Sequence, residues 1–317
     1  MAFEDELGRD SSQPYDSDQD YVLSATGLVS RTIDLWIKKL VSFIIIIGVV
    51  SAALLAVSYI VLLTMFGLTE VASSDPINFL FSVYLLAPVT DPLYFTVSLL
   101  CTGAIFIVNV ILAGAVIKFT LDSYGQDTGD IASSYRHSLG KFVPLLLYQI
   151  LISALTAIVF VPGLYFTSSA MDQIIIDFNN PLNSVFPPGS IEMFMTGAMI
   201  LFIGAFFLLF IQARLAPTLA IIVDTDQSVV DSIKQAWNLT SGNLLRILAA
   251  QILLIIAIMI FTFSISYGLS YVLGDVPIVY VIESIAVALF FSALNLIFVS
   301  ILYRDLIARS EKMVTTL

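Results

Sequence analysis

Of the 317 residues, 59% are hydrophobic and only 12% are charged, with a mean hydropathy of +0.99, which leaves too little polar surface for a water-soluble globule. The net charge of −11 comes from 24 acids against 13 Lys and Arg, so the composition gives no reason to expect a nucleic-acid partner. With one Cys and one His, Cys101 and His137, neither an intrachain disulfide nor a histidine or cysteine metal site can be built.

Residues 1–25 hold Glu4, Asp5, Glu6, Asp10, Asp16, Asp18 and Asp20 against Arg9 alone, and predict a disordered acidic tail rather than a cleaved signal, whose end would be basic. The chain then places Val29, Ile33, Trp36, Ile37 and Leu40 on one stripe of a short helix, and an apolar run over 41–67 follows at once. A second run spans 93–117. The pattern recurs with Ile131, Tyr135 and Leu139 before runs at 142–166 and 193–222. It recurs again with Val229, Val230, Ile233, Ala236 and Trp237 before runs at 245–273 and 277–303. Each of the six runs reaches the ~20 residues needed to cross the hydrocarbon as a helix, and no short alternating segments suggest a β-barrel. The fold class expected is an all-α, six-span membrane bundle occupying 26–310, with a short tail at 311–317. It divides into three repeats, about 26–122, 123–224 and 225–310, each an interfacial helix plus two spans. Trp36, Tyr135 and Trp237 are the expected interfacial anchors, since an amphipathic ring is most stable at a lipid–water boundary.

All the Lys and Arg fall on one side of this arrangement. The connections at 68–92, 167–192 and 274–276 contain none, so a cell-membrane, multi-pass chain with both termini cytoplasmic is expected. Two of those connections carry apolar stretches too short to span, at 77–86 and 174–178, expected to dip into the outer leaflet.

Polar groups inside the apolar runs are the candidate functional residues. Asn109, Gln149, Gln212, Gln251 and Asn295 are expected to face other helices, because an amide pointing at lipid leaves its donors and acceptors unpaired. Asn109 lies nine residues before Lys118, and Asn295 nine before Arg304, so each cation is half a turn around the helix from its amide and free to reach outward to headgroups. Arg214 marks the inner boundary of an overlong run that Pro217 should bend, where it would meet lipid phosphate or an internal anion. Glu283, about 9 Å into its run by the helix rise, is a carboxylate that could couple a proton to transport if it faces the interior, the alternative being contact with outer headgroups. His137 is expected at the surface of its short helix.

The stretch 214–248 has an arginine near a span end, a Pro-containing continuation, an acidic turn, an amphipathic helix with a Trp, and a Leu-Thr-x-Gly-Asn connection into the next run. Through Arg214, Ala216, Pro217, Asp224, Ser232, Ala236, Trp237, Leu239, Thr240, Gly242 and Asn243 it resembles the membrane domain of glycerophosphodiester phosphodiesterases and its stand-alone six-span relatives. The resemblance implies membrane packing and no assigned chemistry, since the soluble phosphodiesterase barrel has no counterpart here. Metalloprotease, P-loop, dinucleotide and serine-triad patterns are also missing, so no catalytic residue, cofactor or metal is expected. The expected function is that of a non-enzymatic membrane protein binding or moving a lipid or small amphiphile, its partners being membrane lipids. The alternative is a scaffold or accessory subunit of another membrane protein.

Overall fold

The computed structural model describes residues 22–57, 60, 92–126, 128–178, 189–273 and 277–315, and every element among them is helical. The acidic tail up to residue 21, the stretch 77–86 and the 274–276 turn lie outside the described residues. So do the side chains of 174–178.

Helix α1 (Ala25–Lys38) leads through one turn residue, Lys39, into the first span, α2 (Leu40–Val57). The second span is α3 (Pro92–Gln126). A short helix, α4 (Ile131–Gly140), precedes the long α5 (Phe142–Phe178), and α6 (Ser190–Leu215) returns, continued after a break by α7 (Thr218–Asp224). A third short helix, α8 (Val229–Leu239), precedes α9 (Leu244–Leu273), and the last span is split into α10 (Pro277–Phe291) and α11 (Leu294–Thr315). Six of these stretches are long and apolar enough to cross a membrane, which makes the chain a polytopic all-α membrane protein.

The predicted runs differ from the observed spans mainly at one end. The second reaches Tyr124 rather than 117 and the sixth Glu311 rather than 303, because both continue past the hydrocarbon to meet the short helices. The buried core lies at that end, which also bears the described Lys and Arg and is called the basic end below. Leu112, Val116 and Phe119 of α3 meet Ile297, Phe298 and Leu302 of α11 around Ile221 and Ile222 of α7. At the other end α5, α6 and α9 expose row upon row of Ile, Phe and Met, the surface expected to face acyl chains. Helices α5 and α6 pack closely where Gly163 and Gly197 leave no side chain between the backbones.

Each short helix docks on a span that closes another part of the chain. Helix α1 packs on α11 and α9, α4 on α3, and α8 on α6 and α7. The buried faces follow the predicted stripes only in part. In α1 the inner face is Leu28, Val29, Thr32, Leu35 and Trp36, in α4 it is Ser134 and Ser138, and in α8 it is Ser232 and Ala236. Close docking selects small or hydroxyl side chains, which leaves Ile37, Leu139 and Val230 more than half exposed, one on each helix. One side of each helix therefore contacts protein and its flank is left to lipid.

Two backbone irregularities meet in the bundle. Residues Ile44–Gly48 of α2 form one π-helical turn, and α10 gives way to α11 around Ser292 and Ala293. Gly48 lies against the carbonyl of Leu289, where any Cβ would overlap the oxygen. A π-turn widens the helix and a helix break leaves carbonyls unpaired, and one aromatic side chain bonds a carbonyl at each. Tyr135 of α4 donates to the Ile46 carbonyl at 2.5 Å, and Trp36 of α1 donates to the Phe290 carbonyl at 2.9 Å while stacking on Phe291 at 5.6 Å. Burial against the span raises the Tyr135 hydroxyl above its ordinary pKa.

Candidate ligand-binding sites at the basic end

Pro217 has no N–H to continue the helix, so α6 stops at Leu215 and α7 restarts at Thr218. Arg214 stands at this break. Its guanidinium lies over the Trp237 ring at 5.0 Å and near Phe210 at 5.8 Å, and among the described residues it meets no carboxylate. Its Nε is buried without a hydrogen-bond partner. The site is held by α8, whose Ser228 cap accepts from the Asp231 N–H at 3.2 Å, and by Thr240, whose hydroxyl lies 2.9 Å from the Ala236 carbonyl and 3.3 Å from the Arg214 carbonyl. Gly242 at φ +80° takes the left-handed turn that sends the chain into α9. The Ser228 and Lys234 side chains hold the Asp231 carboxyl below its ordinary range.

A second assembly surrounds Asp305, which is fully buried. Its carboxylate accepts from the Leu23 N–H at 2.7 Å, from Arg246 at 2.5 Å and from Arg309 Nε at 3.2 Å. The two guanidiniums also donate to the Leu23 carbonyl, at 2.7 Å from Arg246 and 2.6 Å from Arg309. The backbone of one residue ahead of α1, Leu23, is thus gripped on both its N–H and its C=O by residues of α9 and α11. Beside this clamp, α8, the following turn and α11 border an open pocket of about 600 Å³ lined mainly by polar side chains, among them Gln235, Asn238, Asn243 and Arg309.

Helix α4 is tied to the end of α7. His137 Nε2 lies 2.8 Å from the Val223 carbonyl, Lys141 donates to the Thr225 carbonyl at 2.6 Å, and Lys141 pairs with Asp226. Cations and donors at a helix C-terminus oppose the negative end of its dipole. The Lys141 ammonium holds the Asp226 carboxyl below its ordinary range. Asp224 accepts from the Tyr303 hydroxyl at 2.9 Å and lies 3.9 Å from Arg304.

The structure reverses several expectations. Asn109 and Asn295 are exposed rather than turned inward. The half-turn relation holds, but the cations take the inner side, Lys118 pairing with Asp122 at 2.7 Å and Arg304 with Asp224, because a charge gains more from a partner there than an amide does. Gln212 is exposed as well. Trp36 is 9% exposed and serves as a buried hydrogen-bond donor, and Tyr135 is likewise keyed into a span, whereas Trp237 is 44% exposed. His137 is a tie between helices rather than a free surface residue. Glu283 is half-buried between α9 and α10 and accepts a hydrogen bond from Ser266.

The Asp305 clamp escaped the sequence reading. A signal was present, since Asp305 and Arg309 sit one turn apart at the end of an apolar run. Arg246 and the Leu23 peptide, however, are brought in only by the tertiary fold.

Among the described residues, no group of three or more His, Cys, Asp or Glu side chains could hold a metal ion. No curated protein and no solved structure matches the chain. Residues 190–314, which run from α6 through α11 and supply Arg214, the Asp305 clamp apart from Leu23, and the whole lining of the polar pocket, match the family described as the membrane domain of glycerophosphoryl diester phosphodiesterase.

Proposed function

We propose that the protein is a non-enzymatic integral membrane protein that binds a lipid or small amphiphile with an anionic group at its basic end, and that Arg214 receives that group. The observation that carries this reading is a guanidinium oriented by two aromatic rings, partly buried, with no described carboxylate to neutralise it. A phosphate is the bidentate acceptor that such a group fits. The test is mass spectrometry of lipids retained by the gently purified protein. Anionic phospholipid should be held by the parent and depleted in Arg214→Gln, whereas identical lipid profiles for the two proteins would refute the proposal.

A second reading, a scaffold or accessory subunit within a membrane complex, is supported by Asn109 and Asn295, whose amides are exposed on spans where a neighbouring helix would pair them. Under that reading Asn109→Leu together with Asn295→Leu releases a co-purifying membrane subunit.

Three repeats of a short helix plus two spans are supported by the element order and by a cyclic rule of docking. The short helix of each proposed unit packs on the second span of the unit before it, the first on the last. A cytoplasmic location for both termini is supported by the confinement of Lys and Arg to the end carrying the short helices. In this arrangement Glu283 lies towards the outer leaflet, and its bond to Ser266 favours a role in coupling α9 to α10.

A further inference from the structure

The polar pocket is separate from the Arg214 site, and its lining has a chemistry of its own. Asp231, Gln235 and Asn238 fall at i, i+4 and i+7 on one face of α8, Gln227 precedes that helix, and Asn243 comes from the turn that Gly242 makes possible. None of the four amides is hydrogen-bonded through its side chain to another described residue. For Gln235 this is more than ordinary surface hydration, because its Oε1 is buried and still lacks a partner. The charged members of the lining are already engaged. Arg309 is committed to Asp305 and the Leu23 carbonyl, and Asp231 to Ser228 and Lys234. Leu239 and Leu306 supply the apolar part of the wall.

Each amide offers a donor and an acceptor side by side, the complement of a hydroxyl that both gives and takes a proton. Several amides over an apolar patch match a molecule that alternates hydroxyl groups with C–H faces, and the volume of about 600 Å³ suits one or two sugar rings. We infer that this pocket binds an uncharged polyhydroxylated group, a sugar or cyclic polyol, with Gln235 Oε1 accepting a ligand hydroxyl at its buried end and Asn238 and Asn243 bonding it nearer the mouth. The group is either a free polyol or the headgroup of a lipid.

The test uses the full chain in mild detergent and four probes: glycerol, myo-inositol, glucose and trehalose. Binding is read by equilibrium dialysis of the labelled probe for the parent, Gln235→Leu and Asn243→Ala. At least one probe is expected to bind the parent and to bind Gln235→Leu about tenfold more weakly, the loss of one buried hydrogen bond. Gln235→Leu is expected to melt no lower than the parent, because it removes a buried acceptor that has no protein partner. If that variant fails to fold, Asn243→Ala at the mouth carries the comparison. An inositol lipid or glycolipid retained by the parent and lost from the variant assigns the group to a headgroup, and binding of free probe without such a lipid assigns it to a soluble molecule. No binding of any probe together with no such retained lipid, or equal binding and retention by parent and variants, overturns the inference. Arg214→Gln should leave this binding intact, so failure here and failure of the anionic-lipid reading are told apart.

Discussion

Replacing Asp305 with Asn keeps its size and removes its charge, which makes it a direct probe of the clamp on Leu23. The carboxylate now serves three donors, the Leu23 N–H and the two guanidiniums. An asparagine has one acceptor oxygen, and its NH₂ group would face at least one arginine donor. Two charge-assisted bonds are lost, each about 1.5–3 kcal/mol. Arg246 and Arg309 are 17% and 25% exposed and so recover some hydration when released. The net cost should therefore be about 2–3 kcal/mol, below the full penalty of an uncompensated buried charge. Reversible unfolding of the reconstituted protein, followed by tryptophan fluorescence, measures it directly. Trp36 lies on the helix that the clamp anchors, so its emission, read in a Trp237→Phe background, should shift at lower denaturant with Asp305→Asn than without it. A double-mutant cycle with Arg246→Met should show coupling above about 1 kcal/mol. A change under about 0.5 kcal/mol for Asp305→Asn would refute the reasoning, since surface substitutions do as little.

Gly48→Ala should destabilise the bundle by about 1–3 kcal/mol or more, because its methyl group meets the rigid Leu289 carbonyl and the two spans must part, as thermal unfolding in nanodiscs would report. Trp36→Phe keeps the ring contact with Phe291 but strands the Phe290 carbonyl, at a cost of about 1–2 kcal/mol in the same assay. Asp226→Asn should leave stability unchanged, because the Asp226 side chain of the Lys141 pair is fully in solvent. Asp226 has a lowered pKa in the folded protein, so any contribution it makes is present above the ordinary carboxylate range and is lost as the pH falls through the lowered value. Acid titration should accordingly free the Lys141 link only below the ordinary carboxylate range, a transition missing from Asp226→Asn when followed by the amide signals of Lys141 and Thr225.

The spans were legible because a stretch of ~20 apolar residues has one stable form in hydrocarbon, and the bend at Pro217 because a missing N–H acts wherever the residue sits. The caps at Ser228 and Gly242 were legible for the same local reason. What the pattern could not supply is which face of a helix meets protein when both faces meet something apolar. In water the stripe Val29, Ile33, Trp36 and Ile37 would point inward. Beside lipid the contrast is weaker, so Val29 and Trp36 go inside together with Thr32 and Leu35, while Ile37 stays out. The same loss of contrast bears on Asn109 and Asn295, which lie outward while Lys118 and Arg304, half a turn around the helix, meet Asp122 and Asp224. Arg214 was singled out as a polar group at the end of an overlong run that Pro217 bends, but its aromatic cradle depends on Trp237 arriving from a helix 23 positions later in the chain.

Helix α1 is made early and finds its partners last. Its peptide clamp needs Arg246, Asp305 and Arg309, and its indole needs the Phe290 carbonyl, all of them encoded in the final quarter of the chain. During synthesis the amino-terminal helix must therefore wait at the membrane surface, its Leu28 and Leu35 face uncovered, until the sixth span has been inserted. Docking of α1 is thereby a late step in assembling the six spans. A chain stopped before residue 290 would leave that face open to chaperones and membrane proteases, whereas a chain that extends through α11 closes it.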